Sequence, residues 1–203
     1  MSADETVEGG TVAGEGTGDG GALDDGAAVD STAGGAAVDP AEWADRSADA
    51  WARFDRLPEA EFLALMEELV AELPADDPTG PFELGGAFDA TGHSGRAVEL
   101  YEQALRLGLS GIRRRQAVIQ MASSLRDLGR SQESVALLGA ELAAGSDQLD
   151  DAIRAFLALA LTDVGRAREA VGLSIGTLAP HLAFYQRSLA DYARQLMEPA
   201  QEA

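Results

Sequence analysis

The chain carries one string that could be a catalytic nucleophile, Gly172-Leu173-Ser174-Ile175-Gly176, which matches the G-x-S-x-G elbow in which a serine attacks a carbonyl. That chemistry needs a strand before the serine, a helix after it, and an acid and then a histidine further along. Here Arg168-Glu169-Ala170-Val171 reads as helix, and no acid lies between Ser174 and the one later histidine, His181. His93 and His181 have no neighbours at metal-ligand spacing, and there is no cysteine. No metal and no cofactor is therefore expected. The acidic pairs Asp76-Asp77 and Asp150-Asp151 precede helices or lie in first turns, where carboxylates complement the helix dipole. A general acid/base pair would need an enclosed apolar setting instead, so the chain is expected not to be an enzyme.

All fifteen basic residues are arginine, which removes a phosphate-loop lysine and a Schiff-base lysine together. Only Arg113-Arg114-Arg115 form a basic cluster, at the start of a predicted helix. Cations there oppose the dipole by some tenths of a kcal/mol unless acids compensate. The triplet is either an anchor for an acidic partner, or for the chain's own acidic tail, or a face packed against neighbouring acids.

The formal charge is −20, and it is uneven. Residues 1–80 hold twenty acids against three arginines, and residues 81–203 hold fifteen against twelve. Such a chain is repelled by phosphate backbones and anionic lipid, so neither nucleic acid nor membrane is an expected partner. No apolar run is long enough to span a bilayer, and Met1-Ser2-Ala3-Asp4-Glu5 lacks the pattern of a signal peptide, which points to the cytoplasm.

Residues 1–39 are rich in Gly, Ala and acids and have no apolar period, so they are expected to be a disordered tail. The glycine run at 14–21 is acidic and flanked by no regular element, which argues against phosphate binding. Order is predicted to start at Asp39-Pro40, an N-cap followed by proline at the first helical position. Trp43, Ser47, Trp51 and Phe54 then recur at helical spacing. After Leu57-Pro58-Glu59, Phe62, Met66, Leu69 and Leu73 share another apolar face. Residues 40–74 thus read as a helical pair, an N-terminal cap on the helices beyond residue 78.

From about residue 78 one pattern is written three times. It runs Leu84-Gly85, Phe88, Gly92, Ala97, Tyr101, Ala104, then Met121-Ala122, Leu125, Gly129, Ser134, Leu138, then Leu157-Ala158, Leu161, Gly165, Ala170, Ser174. A helix, a glycine turn and a second helix are implied in each copy, at about 78–111, 115–148 and 151–184. Small residues let helix axes approach, and Phe88, Tyr101, Leu125, Leu138 and Leu161 fill the layers between them. Pro180 is predicted to open a last, capping helix with Leu182, Tyr185, Leu189, Tyr192 and Leu196 on one face.

At these residues the chain resembles the tetratricopeptide repeat (TPR) family, the first copy most closely, and more widely over about 58–196 it is similar to compact bacterial TPR proteins. The resemblance implies an all-α fold: a short superhelical solenoid of antiparallel helix pairs between N-terminal helices and a C-terminal cap, with residues 78–197 as the repeat domain. Departures are Ser134, Glu141, Ser174 and Thr177 at positions where the family has small or aromatic residues. It also implies a groove lined by the first helices, on Phe82, Gly86, Asp89 and Ala90, then Gln116, Ile119, Ser123, Arg126 and Asp127, then Ala155, Leu159, Thr162 and Asp163. The basic and amide clamp with which some members hold a C-terminal carboxylate is missing. The expected function is a non-enzymatic scaffold or adaptor that binds a peptide or helix of a protein partner. The second expectation is a self-associating helical protein, a homodimer without a separate ligand.

Overall fold

Asp39 opens the first helix by a local device. Its Oδ1 accepts from the backbone N–H of Ala41 at 2.8 Å and of Glu42 at 3.4 Å, and Pro40 occupies the first turn. The computed structural model describes residues 38–198, so the tail and the 14–21 glycine run lie outside the described residues except for Val38 and Asp39. Those residues form α1 (Pro40–Trp51), α2 (Glu59–Val70), α3 (Thr79–Ala90), α4 (Ser94–Arg106), α5 (Gly111–Asp127), α6 (Ser131–Ala144), α7 (Asp150–Asp163), α8 (Ala167–Leu178) and α9 (Gln186–Met197). Short 3₁₀ turns occupy Phe54–Arg56 and Ala179–His181. The fold is an all-α helical repeat in which α3/α4, α5/α6 and α7/α8 are the hairpins.

Each hairpin turns the same way for the same reason. Gly92, Gly129 and Gly165 have φ of 82°, 73° and 79°, the left-handed region that costs an L side chain about 1–2 kcal/mol. The following N–H reaches back to the carbonyl five residues earlier, His93 to Phe88, Arg130 to Leu125 and Arg166 to Leu161, each at 2.8 Å. The glycine N–H bonds the carbonyl three residues earlier, which completes a Schellman cap and satisfies two otherwise orphaned carbonyls.

The core is three overlapping clusters, each shared by neighbouring layers. Trp43, Ala50, Phe62, Met66 and Leu69 of α1 and α2 pack with Ala87 of α3, and Trp43 Nε1 donates to the Leu69 carbonyl at 2.8 Å. Tyr101, Ala97 and Ala104 of α4 pack with Ala117, Met121 and Leu125 of α5. Ile119 and Ala122 of α5 join Leu138 of α6, Ile153, Leu157 and Leu161 of α7, and Ala170 of α8. Burying each large apolar side chain contributes about 1.5–3 kcal/mol, so stability is distributed layer by layer.

The last helix departs from the sequence reading. Pro180 sits in the 3₁₀ turn and α9 begins at Gln186, after Tyr185 with φ 67°. Gln186 Nε2 donates to the carbonyls of Pro180 at 3.1 Å and Leu182 at 2.7 Å, holding the bend that separates the two elements. Tyr185 and Tyr192 point outward, 79% and 58% exposed, and Ala193 is the residue buried against α8.

Candidate functional site

Because each hairpin returns its second helix to the outside, α3, α5 and α7 stack side by side and form one continuous face. Polar ties join them. Ser124 Oγ of α5 donates to Asp89 Oδ1 of α3 at 2.5 Å, and Arg126 Nε of α5 donates to Asp163 Oδ2 of α7 at 2.7 Å. Burial pushes the Asp89 carboxyl above its ordinary range, and the Ser124 bond pulls the other way. The Arg126 guanidinium holds the Asp163 carboxyl below its range.

These ties sort the expected groove residues. Asp89, Arg126 and Asp163 are occupied with one another's helices. Ile119 is 7% exposed and belongs to the core cluster shared with α7, so its side chain is not offered to a ligand. Thr162 donates its hydroxyl to the Ala158 carbonyl at 2.9 Å. Gln116 and Leu159 are exposed, Leu159 by 49%, and Ser123 is half-buried. Phe82 is half-buried, tilted against the Tyr101 ring at 6.4 Å, and forms part of a cavity wall.

That cavity, of about 410 Å³, is lined by Phe82, Glu83 and Gly86 of α3, by Arg113, Gln116 and Gln120 of α5, and by Trp51 from the N-terminal pair. Sequence reading placed Trp51 in the cap and not in the groove. Its ring lies over Gly86, where a Cβ would sit 3.1 Å from Trp51 Cζ2, and its Nε1 donates to Glu83 Oε2 at 2.8 Å. The glycine admits the ring. Two buried polar atoms nearby have no protein partner, Gln120 Oε1 in the cavity lining and the hydroxyl of Tyr101, which lies behind Gly86 and outside that lining. Burial raises the Tyr101 hydroxyl well above its ordinary range, so it is a neutral donor.

The arginine triplet divides. Arg114 Nη1 donates to both oxygens of Glu141, at 2.6 and 2.7 Å, and Arg115, 7% exposed, bonds Asp147 and Asp150. Arg114 and Arg115 thus hold acids of α6, α7 and the loop between them, so their charges are already paired within the fold. Arg113 alone faces the cavity, with no ion pair among the described residues.

The catalytic string lies within α8, and Ser174 Oγ donates to the Ala170 carbonyl at 2.8 Å. Among the described residues no strand precedes it. His93 Nε2 lies 2.7 Å from Glu59 and His181 Nε2 lies 3.0 Å from Asp151, with all four side chains about half exposed. Among the described residues no cluster of three His, Cys, Asp or Glu could hold a metal ion, and no helix is long and apolar enough to cross a membrane.

Three comparisons bear on this arrangement. The family model described as tetratrico peptide repeat matches residues 78–196. The crystal structure of TPR-like repeats from a Podosopora anserina protein designated a kinesin light chain superposes with a TM-score of 0.60 at 22% identity, covering 78% of this chain and 93% of that one. A single-substitution variant of those repeats gives a TM-score of 0.59 at 22% identity, covering 78% and 92%. At that identity the likeness is one of fold. No curated protein matches the chain.

Proposed function

The chain belongs to the tetratrico peptide repeat family, and from that premise we propose that it is a non-enzymatic adaptor whose groove receives a peptide segment of a protein partner in the cytoplasm. The observation that carries this reading is the cavity between Trp51, α3 and α5, which is lined by Gln120, whose Oε1 is unpartnered, and by Arg113. Gln120 Oε1 calls for a donor, and a buried polar atom left unpaired costs about 1–3 kcal/mol. A peptide group supplies an N–H for Gln120 and a C=O for the Arg113 guanidinium. The Trp51 and Phe82 rings add apolar walls for a side chain. With a formal charge of −20 the surface disfavours nucleic acid and anionic membrane as alternatives.

Affinity capture from the native lysate with wild type, Gln116→Arg and Leu159→Glu tests the groove through exposed positions. Ile119→Asp does not, since it would disrupt the core. Each exposed variant should lower recovery of the partner by at least about tenfold if it lies at an anchor point. Partner binding should also shift the emission of half-buried Trp51, whereas Trp43, 3% exposed, is already shielded. Unchanged recovery with both variants removes the groove as the binding face.

A further inference from the structure

Six of the nine exposed large apolar side chains among the described residues are in α8 and the segment after it: Val171, Leu178, Phe184, Tyr185, Tyr192 and Met197. Their exposure follows from how α8 and α9 meet. A Cβ at Gly172 would lie 3.0 Å from the Ala193 carbonyl oxygen and from Leu196 Cβ, so the helices approach through their smallest residues. Leu196 and Met197 lie against Gly172, and Val171, Leu178 and Tyr192 are left outside the contact. Leu189, Tyr192 and Leu196 of α9 follow a three-four spacing, and Val171, Ile175 and Leu178 of α8 follow four-three, the spacing that lines one face of a helix for another helix.

We infer that this α8–α9 face is the seat of a two-fold dimer, with a second copy of the same chain as its occupant. Charge selects that occupant. Residues 38–163 carry twenty-three acids against eleven arginines, whereas residues 164–198 carry three acids against four arginines. Two copies repel one another over most of their surfaces, and the α8–α9 face is where that repulsion falls away. Phe184, Tyr185 and Tyr192 are 76%, 79% and 58% exposed. At roughly 200 Å² for each aromatic side chain they offer on the order of 400 Å², about half of the roughly 800 Å² per partner in a standard interface. Val171 and Leu178, each about half exposed, add to that area. An apolar face is complementary to itself, as an isologous contact requires.

The test is the mass of the full chain by sedimentation equilibrium over a concentration series, at about 0.15 M and about 1 M salt, where the screening length falls from about 8 to about 3 Å. A species of twice 21.1 kDa is expected, and it should tighten as salt screens the repulsion. Tyr192→Glu and Leu178→Glu should each weaken the dimer by more than about tenfold. Ile112→Glu, exposed on α5, should leave it intact. Thermal melting by circular dichroism confirms that each variant is folded. A monomer at every concentration overturns the inference, as does a dimer that survives both α8–α9 variants, one equally lost with Ile112→Glu, or one that dissociates as salt rises. None of these residues lines the groove, so failure here leaves the peptide-binding reading standing, and the converse also holds.

Discussion

Gly85→Ala should destabilise the protein by about 2–3 kcal/mol, while Gly139→Ala should stabilise it by up to about 1 kcal/mol, although both replace a helical glycine with the best helix former. Propensity favours alanine at both positions by about the same amount. Packing separates them. A Cβ at Gly85 would stand 2.8 Å from both Cδ1 and Cε1 of Tyr101, whereas a Cβ at Gly139 meets nothing within 4 Å. The Tyr101 ring cannot yield easily, because it is fully buried against Ala97, Ala104 and Ala117 and its hydroxyl end lies beside Gly86. Relief of the clash must come from widening α3 against α4, which also deforms the groove wall. Urea denaturation of the two variants beside wild type reads both signs. Equal shifts in one direction would mean that helix propensity governs Gly85 and that the close approach does not.

The contrast shows what was legible in the sequence and what was not. A left-handed turn after each first helix needs glycine, so Gly92, Gly129 and Gly165 could be recognised from spacing alone. Small crossing residues repeat for a similar reason. The start of α9 was misread because Pro180 carries a helix-start signal, while the actual entry uses Tyr185 at positive φ, which no local rule favours. Groove membership failed at Ile119 because the same helix face serves both ligand and neighbour, and the pitch of α5 turns that position toward α7. Trp51 was missed in the groove because its contact with Gly86 joins segments 35 residues apart. A partial signal did exist for the arginine triplet. Glu141 occupies a position where the repeat has a small residue, and an acid buried there needs a cation.

That pairing predicts the second large effect: Arg115→Ala should cost about 2–3 kcal/mol at neutral pH, while Arg113→Ala, two residues away, should stay within about 0.5 kcal/mol. Arg115 sits between Glu141 near the end of α6 and Asp147 and Asp150 at the entry to α7, and its Nη1 lies 3.0 Å from Asp150. Removing one member of a buried pair commonly costs about 3–5 kcal/mol, and the lower figure allows for Asp147, whose side chain is one-third exposed. Acid should narrow the difference. The Ser146 hydroxyl, the Asp147 N–H and Arg115 together hold the Asp150 carboxyl at about 2, below its ordinary 3.8. A depressed carboxyl contributes stability that is present above 3.8 and lost as the pH falls through about 2. Urea midpoints of wild type and Arg115→Ala should therefore draw closer together across that window. If the gap is the same at pH about 2 as at neutral pH, Arg115 stabilises the α6–α7 junction through its aliphatic stem and not through its charge.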